Sequence, residues 1–259
     1  MTTAIAPAAV PARSNALWNM TVAEVRMLAR ERLRLVFGVG FPVMLLIIFG
    51  SIPSFTKPID TFGGHSLLEA YVPILIGFSL ALLALTSLPS ALADYRDKGI
   101  LRRLRTTPAG PGRVLAAQLI TNLGMAVVAS ILVLAIARLG YHVPLPRQLG
   151  GFVLSAVLTA AALLGLGLLI AALAPNGKAA QTSGALLFYP MMFFAGLWLP
   201  LDAMPKVLRH ISHGTPLGAA VQALQDSAQG HWPHPLQLVT LLIWAVAACA
   251  AAAKLFRWE

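Results

Sequence analysis

The residues of this chain best suited to chemistry are a Gly-Lys pair, a Ser-Gly pair and four histidines. Gly177 and Lys178 form its one adjacent Gly-Lys pair, and a phosphate-binding loop requires the pattern G-x-x-x-x-G-K-[ST]. Ala172 replaces the first Gly of that pattern, and Ala179 replaces the Ser or Thr. The sequence therefore predicts that any ATP hydrolysis takes place on another chain.

The Ser-Gly pair, Ser183 and Gly184, could belong to an intramembrane hydrolase, which needs a Ser nucleophile and a His base. Gln181 replaces the first Gly of a G-x-S-G pattern, and no His lies in any long apolar segment of the chain. We therefore interpret Ser183 as a helix-packing residue and assign no catalytic residue.

The four histidines form two His-x-x-His pairs, His210 with His213 and His231 with His234, a spacing that can share a metal ion. No carboxylate or Cys accompanies them closely, and a proline at position 233 breaks the helix of the second pair. We interpret them as residues of a membrane surface and assign no metal site.

The composition of the chain predicts the elements that carry these residues. Hydrophobic residues make up 58% of it and charged residues 11%, against roughly 25% charged residues in soluble domains. A bilayer accepts that much apolar surface, whereas a soluble fold could not bury it. We predict an all-α membrane protein with six transmembrane helices, at about 35–52, 67–93, 114–137, 152–174, 179–199 and 236–253.

An amphipathic helix precedes the first predicted span. After Leu17, the residues Val22, Val25, Leu28 and Ala29 recur at three- and four-residue spacing, with arginines on another stripe. This pattern is typical of a helix lying in the headgroup plane. We predict a disordered tail over 1–15 and a single transmembrane domain over 16–257.

The distribution of Lys and Arg predicts the orientation. Five of the 19 basic residues lie in the predicted outer segments and 14 in the inner ones; the five are Lys57, Arg138, Arg147, Lys206 and Arg209. This excess predicts a multi-pass protein of the inner or plasma membrane with both termini in the cytoplasm. The net charge of +10 is then explained by topology and lipid headgroups, so we predict the lipid bilayer and not nucleic acid as a partner.

The loop after the second predicted span combines apolar and basic residues. Ile100, Leu101 and Leu104 are neighbours on a helix, with arginines around them. The helix ends before Pro108 and a Gly-Pro-Gly turn. Such a short basic amphipathic helix could lie on the membrane or dock into the groove of a partner.

This loop resembles the permease subunits of ABC-2 type exporters, including their daunorubicin-resistance-like branch. Members show an acidic residue, Arg, Gly, Leu-x-x-Leu and Thr-Pro in this order, and Asp94 stands here where Glu is usual. The resemblance implies a coupling helix that touches a cytoplasmic ATPase. It assigns that role to Asp94, Arg96, Gly99, Leu101, Arg102, Arg103, Leu104, Thr107 and Pro108.

A second signature of the same family follows the fifth predicted span. Gly196, Pro200, Pro205 and Pro216 match its Gly and Pro spacing, while Thr215 replaces the usual Asn. The resemblance extends over residues 16–257 and implies short helices on the outer side before the last span. It also implies a dimer of ATPase subunits that binds ATP and Mg, and a second permease copy or a paralogue.

The sequence thus predicts an exporter permease for a hydrophobic or amphipathic cargo, drug-like or lipid-like, with no cofactor bound by this chain. The fifth predicted span carries a group of aromatic residues as candidates for the pathway, although plain packing would also explain them. They are Phe188, Tyr189, Phe193, Phe194 and Trp198. Two alternatives stay open, a membrane enzyme and a non-transporting interaction, assembly or immunity protein.

Overall fold

The computed structural model describes residues 15–30, 35–57, 66–104, 110–198 and 204–255, and the regular elements within these ranges are all helices. In chain order they are α1 (Asn15–Arg30), a first π segment (Val36–Gly40) continued by α2 (Phe41–Gly50), α3 (Pro53–Thr56), α4 (Leu67–Leu82), a second π segment (Leu83–Ser87), α5 (Leu88–Asp97), α6 (Ile100–Leu104), α7 (Pro111–Tyr141), α8 (Leu149–Leu173), α9 (Gly177–Phe194), α10 (Lys206–Gly214), α11 (Pro216–Gln229) and α12 (Pro235–Leu255).

Within the described ranges, four helices are long and apolar enough to cross a membrane, spanning 67–97, 112–141, 149–173 and 235–255. Val36–Gly50 is apolar but shorter, and α9 has polar residues in its first two turns. The prediction of an all-α membrane protein is confirmed within the described ranges, while the count of six spans stays a prediction. The helix α1 begins at Asn15, inside the segment predicted as a tail; residues 1–14 and 256–259 lie outside the described ranges.

The helix from Leu67 to Asp97, which joins α4, the second π segment and α5, is the centre of the fold. In its most apolar stretch 89% of the residues are buried, against 33%, 44% and 28% in the other three long helices. Its first part, Leu67–Leu82, is apolar on nearly every side, which is typical of a helix surrounded by other helices. Its first turn is capped by the Ser66 hydroxyl, which accepts a hydrogen bond from the Glu69 amide at 3.3 Å. We call it the central helix.

Two glycines bring neighbouring helices into backbone contact with the central helix. A Cβ on Gly167 of α8 would overlap the carbonyl oxygen of Ala84, and one on Gly184 of α9 would overlap that of Leu85. Both carbonyls belong to the second π segment. Because helices in a bilayer associate through close packing, such glycine contacts are a main source of their stability. They fix α8 and α9 on two sides of the central helix.

The helix α10 packs against the end of α9, and α11 packs against the end of the central helix that carries Glu69. The Ser212 hydroxyl donates to the Phe194 carbonyl at 2.6 Å, and the Gln225 amide donates to the Ala70 carbonyl at 3.0 Å. The side chains of Leu217, Val221 and Leu224 in α11 are fully buried. The prediction of short helices before the last span is confirmed, and α11 is a packed part of the bundle.

The contact of Gly184 with the central helix can be tested by adding one methyl group. We expect Gly184→Ala to destabilise the protein by about 1–3 kcal/mol, because the methyl group must displace the backbone of the second π segment. The measurement is the thermal unfolding midpoint in detergent.

The matched control is Gly124→Ala on α7, because a Cβ at Gly124 meets nothing within 4 Å. It should leave the midpoint unchanged or raise it, since Ala favours helix over Gly. Equal midpoints for the two variants would contradict the packing described for Gly184.

Candidate functional site

The two ends of the bundle differ in charge. The basic end carries α6, the start of α7, the end of α1 and the turn 174–176 between α8 and α9. The far end carries Glu69, the segment 142–148 and the segment 230–234. Of the residues predicted to couple the chain to an ATPase, those within the described ranges lie at the basic end.

Arg96 holds the end of α8 at the basic end. Its Nη1 donates to the carbonyls of Ala171 at 3.0 Å and Ala172 at 3.3 Å, and its Nη2 donates to the carbonyl of Ala174. The last carbonyls of a helix have no partner within the helix, and a cation at this terminus also interacts favourably with the helix dipole. Arg96 therefore fixes the turn between α8 and α9 to the central helix.

Asp94 holds the other side of the same turn. Its carboxylate contacts Gly177, the first residue of α9, so closely that a Cβ at this position would overlap it. The N-terminus of a helix carries partial positive charge, so the carboxylate is favourable there. Asp94 and Arg96 were predicted to touch a partner; in the structure both contact the turn of their own chain.

A network of polar side chains joins α1 to the central helix and α7. The Tyr95 hydroxyl donates to Glu24 Oε1 at 2.8 Å, and the Gln118 amide donates to Glu24 Oε2 at 2.6 Å. Asn122 donates to the Gln118 carbonyl at 2.9 Å. A cavity of about 100 Å³ lies beside the network, and the hydroxyl of Thr121 in its wall is buried without a hydrogen-bond partner among the described residues.

Sequence reasoning did not identify this network as a site. One signal was available: Gln118, Thr121 and Asn122 recur at three- and four-residue spacing near the start of an otherwise apolar span. Their partner Glu24 could not be found this way, because 94 residues separate it from Gln118.

The helix α6 presents its arginines and buries a leucine. Gly99 precedes it with φ +66°, a conformation that glycine adopts without strain and that lets the chain turn sharply after the central helix. Leu101 is 1% exposed, whereas Arg102 and Arg103 are exposed. The apolar face that was predicted to dock into a partner is thus partly occupied within this chain. Nothing is described for the Leu104 side chain, and Thr107 and Pro108 lie outside the described ranges.

A groove of about 980 Å³ opens along the central helix, between the first π segment and α9. Its walls comprise Arg30 of α1, Phe37 and Gly38 of the first π segment, Leu82, Leu83, Thr86, Ser87, Ser90 and Asp94 of the central helix, and Gly177, Lys178, Gln181, Ala185 and Tyr189 of α9. The stretch of α9 from Lys178 to Tyr189 has a length of about 17 Å. The groove therefore extends from the basic end well into the apolar part of the bundle.

Both π segments of the described chain contribute to this groove. Gly38 lies against the Leu83 side chain, where an added Cβ would come within 2.7 Å of Leu83 Cδ2. Such segments are rare and occur frequently at functional sites, because they interrupt the regular helix hydrogen bonding. The hydroxyl of Ser87, at the end of the second π segment, is buried without a hydrogen-bond partner in the described part of the chain.

The five aromatic pathway candidates do not share one face. Tyr189 is 64% exposed and lines the groove. Phe188 is buried, and its ring packs edge-on against Phe78 at a centroid distance of 5.3 Å. Phe193 and Phe194 pack against each other at 5.5 Å, and Trp198 is exposed beyond the end of α9. Adjacent helix residues point in directions about 100° apart, so Phe188 and Tyr189 lie on different faces, and the pathway role of these aromatic residues stays a prediction.

The histidines lie on α10 and near the start of α12. The rings of His210 and His213 are 6.4 Å apart between centroids, and His210 Nδ1 lies 2.8 Å from the Lys206 carbonyl oxygen. Within the described ranges, no three His, Cys, Asp or Glu side chains are grouped so that they could hold a metal ion.

Most of the chain matches the model of a known protein family. Residues 15–228 match the family model described as ABC-2 type transporter. This range begins with α1 and ends near the end of α11, so it includes the groove, the polar network and the turn held by Arg96. No curated protein matches the chain.

The contacts of Arg96 can be tested by removing its charge. We expect Arg96→Gln to loosen the turn 174–176, because three helix-terminal carbonyls lose a charged donor, and hydrogen bonds to charged groups contribute about 1.5–3 kcal/mol. The measurement is amide hydrogen exchange at residues 174–180, which should become roughly tenfold faster or more.

Arg138→Gln is the matched control, because Arg138 also lies in the last turn of a long helix but is exposed. It should leave exchange at the turn unchanged. Unaltered exchange in Arg96→Gln would show that the turn does not depend on this arginine.

Proposed function

The chain belongs to the ABC-2 type transporter family and is the membrane component of an ABC transporter; from this premise we propose that it is the permease subunit of an exporter driven by a separate ATPase chain. The groove along the central helix forms part of the cargo pathway. The cargo is hydrophobic or amphipathic.

The groove is the observation that carries this proposal. Its volume of about 980 Å³ matches the upper range of sites that hold drug-sized molecules. The side chains of Phe37, Leu82 and Tyr189 make it apolar toward the middle of the bundle, and Thr86, Ser90 and Gln181 add polar groups. A mixed lining of this kind suits a molecule with both apolar and polar parts.

The charge distribution supports an orientation with the basic end in the cytoplasm. Basic residues in short loops follow the positive-inside rule. Both termini of the chain then lie in the cytoplasm of a cell whose inner or plasma membrane holds the protein. The groove opens at that side, where a cargo destined for export must enter.

The exposed arginines of α6 are the docking surface for the ATPase in this proposal. Arg102 and Arg103 are exposed, while the buried Leu101 anchors the helix in the bundle. The helix follows directly after the central helix, whose Asp94 and Arg96 contact the turn at the start of α9. A displacement of α6 would thereby be transmitted to the central helix and to α9, which both line the groove. Glu24 and Tyr95 connect α1 to the same point.

Two ATPase subunits supply the ATP and Mg sites, because no phosphate-binding loop occurs in this sequence. A second permease, either an identical copy or a paralogue, completes the pathway. The family normally works with such an ATPase. In this proposal, two ATPase subunits close around ATP, and each moves one of the two permease subunits.

The docking surface can be tested by co-purification in mild detergent, with the neighbouring open reading frames co-expressed. We expect a chain with a G-x-x-x-x-G-K-[ST] loop to co-purify in equal amounts with the wild type. The double variant Arg102→Glu, Arg103→Glu should retain at most a tenth of it, because like charges replace complementary ones at the docking surface.

Lys254→Glu is the matched control, because Lys254 is also an exposed cation, in the last turn of α12. It should co-purify the ATPase like the wild type. Equal retention in the double variant would refute the docking surface. Absence of any ATPase with the wild type, with or without nucleotide, would refute the exporter and favour the interaction or assembly protein.

A further inference from the structure

The groove carries its charges at one end only. Arg30 and Lys178 line its wall at the basic end, and both side chains are exposed. Within the described part of the chain, Asp94 is the one acidic residue that lines it. The carboxylate of Asp94 lies against the first residue of α9, where the partial positive charge of the helix N-terminus offsets it. The basic end of the groove is therefore a site of net positive charge.

Among the described residues, those that line the rest of the groove carry no charge. Polar residues come next along it, and apolar ones follow toward Tyr189. Among these polar residues, Ser87 is only 7% exposed. Its hydroxyl has no hydrogen-bond partner among the described residues. A buried hydroxyl without a partner costs free energy, so a ligand oxygen or a water molecule beside Ser87 would be favourable.

From this arrangement we propose that the groove binds an amphipathic anion, with its phosphate- or carboxylate-type headgroup between Arg30 and Lys178. Its apolar part lies along Leu82 and Ala185 toward Tyr189. This inference rests on the proposed function, because it names the chemical class of the exporter's cargo. A neutral or cationic cargo would leave the two exposed cations without a counterpart.

Charge complementarity distinguishes this occupant from a second copy of the chain. A copy that covered the groove with one of the apolar helices α7 or α12 would bring no acidic residue, since neither helix contains Asp or Glu. It would also cover two cations with apolar surface, which is costly. An anionic headgroup avoids that cost and can accept charge-assisted hydrogen bonds.

The test uses the full chain in nanodiscs of zwitterionic phosphatidylcholine, with no ATPase present. The probe is dodecyl phosphate bearing a diazirine at the end of its chain. We expect light-dependent labelling within Leu82–Ser90 and Gln181–Tyr189, found by mass spectrometry of peptides. Unlabelled dodecyl phosphate should compete, whereas dodecyltrimethylammonium and inorganic phosphate should not. Competition by the ammonium compound at equal concentration, or labelling outside the groove, would overturn the proposal.

Variants separate a headgroup site from general attraction to a basic surface. The double variant Arg30→Gln, Lys178→Gln should raise the half-saturating concentration of the probe about tenfold or more, as expected when two charge-assisted contacts are lost. The control Arg26→Gln, Lys254→Gln removes two exposed cations outside the groove and should bind like the wild type. An equal loss in the control would overturn the proposal.

Two further outcomes complete the test. In a Cys249→Ser background, a disulfide between two copies of Gln181→Cys together with absent labelling would show that a second copy covers the groove, which overturns the proposal. If the ATPase co-purifies but dodecyl phosphate does not bind, the cargo class is wrong and the exporter stands. If the probe binds but no ATPase co-purifies, the anion site stands and the exporter is wrong.

Discussion

The close approach of α8 and α9 to the backbone of the central helix is the constraint on which the rest of the structure depends. Gly167 and Gly184 contact the carbonyls of Ala84 and Leu85, where any side chain would force the helices apart. In a bilayer, burial of apolar side chains gives little preference for one helix neighbour over another, so such geometric fit decides which helices associate. This packing places α9 as one wall of the groove.

The same two helices are held a second time at the basic end. Arg96 binds the last carbonyls of α8, and Asp94 contacts the first residue of α9. Two attachments, one within the bundle and one at its end, make α8, α9 and the central helix a unit that can move together. The first π segment makes fewer such contacts, with Gly38 against the flexible Leu83 side chain. The groove lies between this unit and the first π segment.

The polar residues of the chain serve two different purposes. Glu24, Tyr95 and Gln118 satisfy one another's hydrogen bonds and thereby attach α1 to the bundle. Arg30 and Lys178 instead stay exposed at the basic end of the groove, and the buried hydroxyl of Ser87 further along it has no hydrogen-bond partner among the described residues. Paired polar groups stabilise a membrane fold, whereas exposed or unpaired ones in a groove provide binding capacity.

The sequence by itself determined the membrane class, the long apolar helices and the absence of a phosphate-binding loop, because apolar length and local motifs are properties of contiguous residues. The predicted spans 67–93 and 152–174 agree with the helices within four residues at each end. Only the tertiary structure decided that Leu101 is buried, and that Phe188 belongs to the core while Tyr189 lines the groove. It also decided that Asp94 and Arg96 hold the turn between α8 and α9, which lies about 80 residues further along the chain. The physical reason is that these roles depend on which helices become neighbours. In a nearly uniform apolar sequence, neighbours are chosen by glycine contacts and helix-end hydrogen bonds that no local pattern specifies.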